Sequence, residues 1–593
     1  MSSQPSAPDA PPRSDVWRTA CLLLLLAVAS VDFKGYRFGG SNHSLQLPHL
    51  KQLVDPALYA ADPVISSFDG YVTFFFRALV PFVRVTGIEP LYFALFVACR
   101  VALLAAIYAL ARLLLRSPSA ALVACVLALG VVPSLAGEQS HWPRLTHAEV
   151  ATPMLLWALW LYLRGRPLLA CLLTGLAFDI HALYALYVSA LIGTDLLLSR
   201  PRRPLRELLR AAACLLLPAA PALVWALLRH DPVPASEWAL WLESLRERSS
   251  VHAFPLSVAP AVYGRYFTLL SLGLLAFFAM PEPERHPALP RFAAAVLGLC
   301  VVGFVFSELL PVRRVLEAQL LRSTKWLTFF VIVLIAELVT RAWRWGALAR
   351  FAAGLLALSL LLEQPAWATA SLLLLLLARP REWPPAVAGV AALALVVDAV
   401  TGASPVGDRF GLAVITNGAR DVLASPVVML CLGLLIMFRA AAGSKHLLRA
   451  LSVLVPALLL SGALPHLYRQ HRRAVLGEAW NETQAWVRQH SPRDTVVLTP
   501  PDREGFRVFS ERSIVGEWKD GTQQFFSWAF TKEWRRRMDA LQVGKTAFEA
   551  LPPEQLAEIG RRFGAAQLVF PAGHALPFEL LYENAEFAVY RLP

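Results

Sequence analysis

The chain has 593 residues, of which 57% are hydrophobic and 16% charged, and its mean hydropathy is +0.52. A composition this apolar and this uniform excludes a large soluble enzyme and calls for an integral membrane protein with many spans. The formal net charge of +13 needs no nucleic acid as partner, because much of the basic excess sits in short loops between apolar segments.

Residues 1–15, rich in Ser, Pro and Ala, read as a disordered cytoplasmic tail. The first span runs from about Val16 to Val31. It lacks a convincing cleavage site, since Ala27-Val28-Ala29 is followed by Ser30-Val31-Asp32, so it is read as a retained helix and not a signal peptide. A long polar loop, 32–89, follows. Within it "YVTFFFRALVPFVRV" combines aromatic and aliphatic residues with only Arg77 and Arg84, which suggests a helix lying along the membrane interface.

Apolar runs of roughly 20 residues, the length needed to cross the hydrocarbon core, recur to about Leu464 and give an expected total of about 15 spans. "LLACLLTGLAFDIHALYALYVSALIGTDLLL" reads either as one long helix or as two short ones broken at Asp179-Ile180-His181. Basic segments such as "SRPRRPLRELLR" (Ser199 to Arg210), "RPRE" (Arg379 to Glu382) and "FRAAAGSKHLLR" (Phe438 to Arg449) mark one side as cytoplasmic. The long polar loops then share the opposite side with the tail after Leu464, and an odd span total is needed to put the two ends on opposite sides. Seven scattered cysteines without a CxxC pair suggest neither a disulfide framework nor a zinc site.

From 465 to 593 the spans stop and the charge density rises. The pattern there reads as a small α/β domain of about 125 residues, enough for a core of its own. "AVLGEAWNETQAWVRQHSP", "QQFFSWAFTKEWRRRMDALQ" and "PPEQLAEIGRRFG" read as helices. "DTVVLTPP", "RVFSERSIV" and "AQLVFPAG" read as strands, and "FELLYENAEFAVYRLP" as a closing hairpin.

Ionisable residues at membrane depth are costly and mark function by default. Arg100, Asp179, His181 and Glu308 fall at or toward the outer face, and Glu337 and Asp398 lie deeper. In the first loop Asp32, Asp55, Asp62 and Asp69 are joined by His43 and His49. A carboxylate there could act as general base toward an acceptor hydroxyl or hold a divalent cation, and His43 is the next candidate. Asp55-Pro56 reads better as a turn or helix start, and Asp62-Pro63 reads equally well as one. "PVRRVLEAQLLRSTKWL" sets Arg313, Arg314, Arg322 and Lys325 on the outer side, where pairing with a lipid phosphate or diphosphate gives them a purpose. In "GFRVFSERSIVGEWKDGTQQFF", Arg507, Glu511, Trp518 and Lys519 mix charge with aromatic surface, which suits a sugar or acceptor. Strand alternation would instead make Val508, Phe509, Ile514 and Val515 core and the charges a solvated face. No Walker loop, GxGxxG, HExxH or GxSxG occurs.

A short first span, a long acidic first loop with an interfacial helix, many further spans and an outward C-terminal domain together resemble the GT-C superfamily of polytopic glycosyltransferases. "SNHSLQLPHLKQLVDPALYAADP", "EAQLLRS" and "WVRQHSPRDTVVLTPPDREGFRVFSERSIVGEWKDG" look like the pattern of an uncharacterised group of bacterial membrane proteins with this layout. The resemblance implies a GT-C-like fold in the bacterial inner membrane with a periplasmic C-terminal domain. It implies an inverting transfer at the outer face from a polyprenyl-phosphate-linked sugar to a glycan, lipid or protein acceptor. By position the acid would be Asp62 or Asp32, and the phosphate partners Arg322, Arg313 or Arg314. The paired acidic motif common at this loop is not present, since Asp32 is followed by Phe33 and Asp62 by Pro63. Two other classes fit the same residues: a transporter or flippase for a lipid-linked or anionic solute, and a non-catalytic subunit of envelope polysaccharide assembly.

Overall fold

The computed structural model describes residues 13–229, 231–282, 285–379, 383–402, 425–440 and 444–593, and is mostly helical. Residues 1–12 of the expected tail, and parts of the basic segments at 283–284, 380–382 and 441–443, lie outside the described residues. The first nine helices are α1 (Arg13–Lys34), α2 (His43–Val54), α3 (Pro63–Ser66), α4 (Phe75–Thr86), α5 (Ile88–Leu115), α6 (Pro118–Leu127), α7 (His147–Leu163), α8 (Pro167–Leu198) and α9 (Leu205–Leu228).

Among the described residues 8 helices are long and apolar enough to cross a membrane, against the expected 15 or so. Several apolar runs fold into helices of only 10–17 residues, including Pro118–Leu127, Ala347–Leu362, Pro365–Ala378 and Pro385–Thr401. At 1.5 Å per residue these fall short of the roughly 30 Å hydrocarbon core. Hydropathy alone does not register that shortfall.

The helix Thr324–Ala342 runs through the centre of the bundle, and 89% of the apolar window around it is buried. α7, α8 and α9 pack in series. α8 and α9 approach so closely that a Cβ at Gly175 would lie 2.3 Å from the Leu215 carbonyl oxygen, which leaves room for glycine alone. α4 buries Phe75, Phe76, Leu79 and Val83 on one face and exposes Arg77, Phe82, Arg84 and Val85 on the other, the pattern of a surface-lying amphipathic helix.

The C-terminal residues form a five-stranded sheet of order β2-β1-β3-β5-β4, made of β1 (Val496–Leu498), β2 (Ser513–Ile514), β3 (Ala565–Pro571), β4 (Glu579–Glu583) and β5 (Phe587–Arg591). β2, β1 and β3 run parallel, and β5 and β4 close the sheet as an antiparallel hairpin. "RVFSERSIV", expected as one strand, instead makes a short helix, Phe506–Ser510, and then β2. The Glu517 carboxylate accepts from the Gly505 and Phe506 N–H groups at the start of that helix, each at 3.0 Å, and Glu511 ends it in the left-handed conformation. Gly505 itself has φ +91, and a Cβ there would sit 2.9 Å from the Gly39 carbonyl oxygen of the first loop. α2 and the loop before it are thus held between the bundle and the sheet domain.

Candidate functional site

α8 is one helix in length and two in geometry. At His181 the backbone leaves the helical region (φ −147, ψ 90), at the polar triplet that interrupts the apolar run. His181 Nδ1 accepts from the Tyr184 N–H at 3.2 Å, so His181 is the N-cap of the second half. The carbonyls released by the break find donors in the first loop: Phe74 N–H donates to Asp179 O and Thr73 Oγ1 to Ile180 O, both at 2.8 Å.

The restarted helix carries Tyr184 into a buried polar cluster. Its hydroxyl donates to Glu138 Oε2 at 2.7 Å and accepts from Lys325 Nζ at 3.1 Å. Arg322 Nε donates to the other oxygen of Glu138 at 2.7 Å, and Arg322 Nη2 adds a second bond. Burial works against an ionised Glu138, but the charges of Arg322 and Lys325 outweigh it and hold the carboxyl at about 2. Lys325 has no exposed surface and sits 3.6 Å from Glu138, as a buried cation requires. His147 stacks on His181 with ring centroids 4.7 Å apart. Gln46 donates to its Nδ1 at 3.2 Å, and its Nε2 lies 3.1 Å from the Tyr71 hydroxyl.

Beside this cluster lies Glu149, 5% exposed, in the first turn of α7. Lys325 and Arg100 act on it electrostatically, yet its Oε1 has no hydrogen-bond partner. A buried carboxylate oxygen left open in this way favours an incoming donor, since an unmade bond to a buried polar group is expensive. Arg100 itself donates to the Trp142 carbonyl at 2.5 Å.

A half-buried basic rim connects this cluster to the sheet domain. Arg248 Nε donates to the Trp518 carbonyl at 2.8 Å, Arg144 reaches the Gly40 carbonyl at 3.3 Å, and Glu504 accepts from Ser41 N–H at 2.6 Å. Lys519 lies within electrostatic range of Glu504, Arg248 and Arg144. Burial, abetted by the two arginines, brings it down to about 8. His252, brought to about 4 by burial, is within electrostatic range of both Arg322 and Lys519, and its Nδ1 lies 2.8 Å from the Ala136 carbonyl oxygen.

The structure therefore groups Arg322, Lys325 and His181, with Lys519 and Trp518 on the rim. Asp62 lies elsewhere, 4% exposed, with Oδ2 accepting from Arg507 Nε at 2.5 Å and Oδ1 from Arg507 Nη2 at 3.1 Å. The same carboxylate caps α3 through Val64 N–H and accepts from Ile514 N–H, each at 3.2 Å. Arg507 completes its fork on Asp520 at 2.9 and 2.8 Å. These charges are buried and not a solvated face, and Val508, Phe509, Ile514 and Val515 are core, the first two on a short helix where a strand was expected.

The other candidates have separate engagements. His43 accepts from Gly39 N–H at Nδ1 and donates from Nε2 to the Leu145 carbonyl, so its neutral form is fully bonded. Asp32 accepts from Ser425, and Asp179 from Ala222 N–H at 3.2 Å. Arg313 and Arg314 both bind Glu317, and Glu511 binds Lys51 and Arg488. Among the described residues no group of three or more His, Cys, Asp or Glu is placed to hold a metal ion.

Sequence reasoning missed Glu138, Glu149, His147 and Tyr184. The available signal was "GEQSHWPRLTHAE", a short polar loop with a carboxylate at each end between two apolar helices. Residues 478–541, which contain Arg507, Glu517, Lys519 and Asp520, match a domain of unknown function (DUF6798). No curated protein matches the chain.

Proposed function

We propose that the protein is an integral membrane glycosyltransferase that uses a polyprenyl-phosphate-linked sugar, with its reaction site at the buried cluster beneath the sheet domain. The observation that carries this reading is the open Oε1 of Glu149, buried among the cations Lys325 and Arg100. In the proposed step Glu149 takes the proton of an acceptor hydroxyl as its oxygen attacks the anomeric carbon. The bond from that carbon to the donor phosphate oxygen breaks, and the phosphate departs toward Arg322 and Lys519. One displacement inverts the anomeric centre.

Glu138 and Glu149 divide the work by environment, the pattern found where acid and base must coexist. Glu138 is bound on both oxygens and anchors the cations, whereas Glu149 keeps an oxygen open. Asp62 takes a positioning role in this proposal, because Arg507 occupies both of its oxygens. The GT-C-like architecture, the periplasmic side and the inner membrane belong to the same proposal. They are supported by the long first loop with its amphipathic α4 and by the sheet domain seated over that loop.

The complete engagement of Asp62 also favours a second reading, a non-catalytic assembly subunit that retains the architecture. Incubating the purified full-length protein with a panel of radiolabelled polyprenyl-phosphate sugars separates the two. Transfer abolished by Glu149→Gln supports the enzyme, and binding of donors without turnover of any supports the subunit.

A further inference from the structure

The segment that sets Tyr71 against His147 continues into α4 and forms, with the last turn of α9, a groove open to the surroundings. It is lined by Asp69, Arg77, Val224, Trp225, Leu228 and Arg229 among others. The guanidinium of Arg77 lies over the Trp225 ring, 4.7 Å from its centroid, and the indole N–H of Trp225 donates to the Asp69 carbonyl at 2.9 Å. Phe74 packs edge-on against the same ring at 5.0 Å. Trp225 is thus fixed on three sides and holds Arg77 in place. Neither Arg77 nor Arg229 forms a salt bridge among the described residues. With Asp69 as the one acid among these lining residues, the groove carries an excess positive charge.

Its other wall is apolar. Val224 and Leu228 of the lining are 50% and 77% exposed, Leu227 beside them 73%, and only 17% of the apolar window of α9 is buried in the protein. A candidate spanning helix so little covered by protein faces lipid tails. Across the groove, α4 exposes Phe82 and Val85. A Trp at the end of such a helix, with arginines beside it, is the arrangement found at the boundary between headgroups and tails.

We propose that this groove binds an anionic glycerophospholipid of the surrounding bilayer, its phosphate between Arg77 and Arg229 and its acyl chain along Val224, Leu227 and Leu228. Two guanidinium groups that form no salt bridge among the described residues match a phosphodiester, and arginine suits phosphate through its planar fork of donors. The continuous apolar wall selects a lipid over a free anion, which has nothing to lay against it. This site is separate from the buried cluster and does not depend on the transferase reading.

The test uses the full-length protein, delipidated in detergent and supplied with phosphatidylglycerol or phosphatidylcholine of identical chains, with bound lipid counted by native mass spectrometry. Phosphatidylglycerol is expected to be retained over phosphatidylcholine. Arg77→Gln and Arg229→Gln should each weaken that retention roughly fivefold, and Arg203→Gln in a basic loop should not. Arg77→Lys and Arg229→Lys keep the charge without the fork and should retain more phosphatidylglycerol than the Gln variants but less than wild type, and an unchanged unfolding midpoint in the Gln variants separates loss of the site from loss of folding. Equal retention of the two lipids, or unchanged retention in Arg77→Gln and Arg229→Gln, overturns the proposal. So does full displacement of phosphatidylglycerol by millimolar inorganic phosphate, which would mark a free-anion site.

Discussion

Arg507 of the sheet domain and Asp62 of the first loop, 445 residues apart in sequence, meet in a 2.5 Å ion pair with 1% and 0% of their side chains exposed. This contact and the approach of Gly505 to Gly39 fix the loop beneath the domain. A buried pair of this kind is worth little against a hydrophobic replacement, yet removing one partner is severe because the other charge stays buried.

Asp62→Ala should therefore destabilise the full-length protein by about 3 kcal/mol, since Arg507 loses two buried bonds, keeping Asp520 at 2.8 Å and Glu517 at 4.0 Å, and the α3 cap is lost as well. Thermal unfolding in detergent checks this. Because the pair is directly coupled, Asp62→Ala/Arg507→Met should cost less than the sum of the single changes, and simple additivity would refute a direct pairing.

His43 makes stability depend on pH. Burial lowers it from 6.5 to about 4, so between these values the unfolded chain binds a proton that the folded chain does not. Stability therefore rises with pH across that window and is lost as pH falls through it, by roughly 3 kcal/mol for this one group. His43→Gln should flatten the slope between pH 6.5 and 4 while lowering stability at pH 7. An unchanged slope would contradict the buried neutral form.

Glu138 has the opposite relation to ordinary pH. Its carboxyl is held near 2, below its usual 4.5, so its stabilisation is fully present above about 4.5 and fades only as pH falls toward 2. Glu138→Gln should remove it at every working pH and leave Arg322 without its carboxylate and Lys325 with Glu149 alone, at a cost of about 3 kcal/mol. The unfolding midpoints of the two proteins at pH 5 and pH 8 should differ by the same amount.

His181→Ala removes the cap of the restarted helix and should cost about 1 kcal/mol, whereas His181→Asn, a good cap, should recover most of it. Equal losses would mean that ring stacking on His147 and Tyr184 holds the break instead.

Much of this organisation could be read from the residues. Asp179-Ile180-His181 stands out because polar groups interrupt an apolar run, and the structure breaks α8 there. Arg322 and Lys325 stand out as cations beside a span, and the closing hairpin follows from strand alternation around Glu583-Asn584-Ala585. Hydropathy overstates the count of spans, because an apolar run such as Pro365–Ala378, bounded by Gln364 and Arg379, is only 14 residues long and yet counts as a span. Glu138 was missed because its role depends on a loop folding back over residues 184 positions later, and no local spacing encodes Arg322 as its partner. Asp62 read as a reactive carboxylate for the same reason, since its neighbours in sequence give no hint of Arg507.

Sugar transfer by the Glu149→Gln protein tests the central claim most directly. With wild-type protein turning over a polyprenyl-phosphate sugar, Glu149→Gln should lower the rate by about 10²–10⁴, the usual contribution of a general base, while donor binding stays close to wild type and the unfolding midpoint falls less than in Glu138→Gln, because Oε1 of Glu149 carries no hydrogen bond. Transfer at the wild-type rate in Glu149→Gln would show that Glu149 is not the base and would contradict the account.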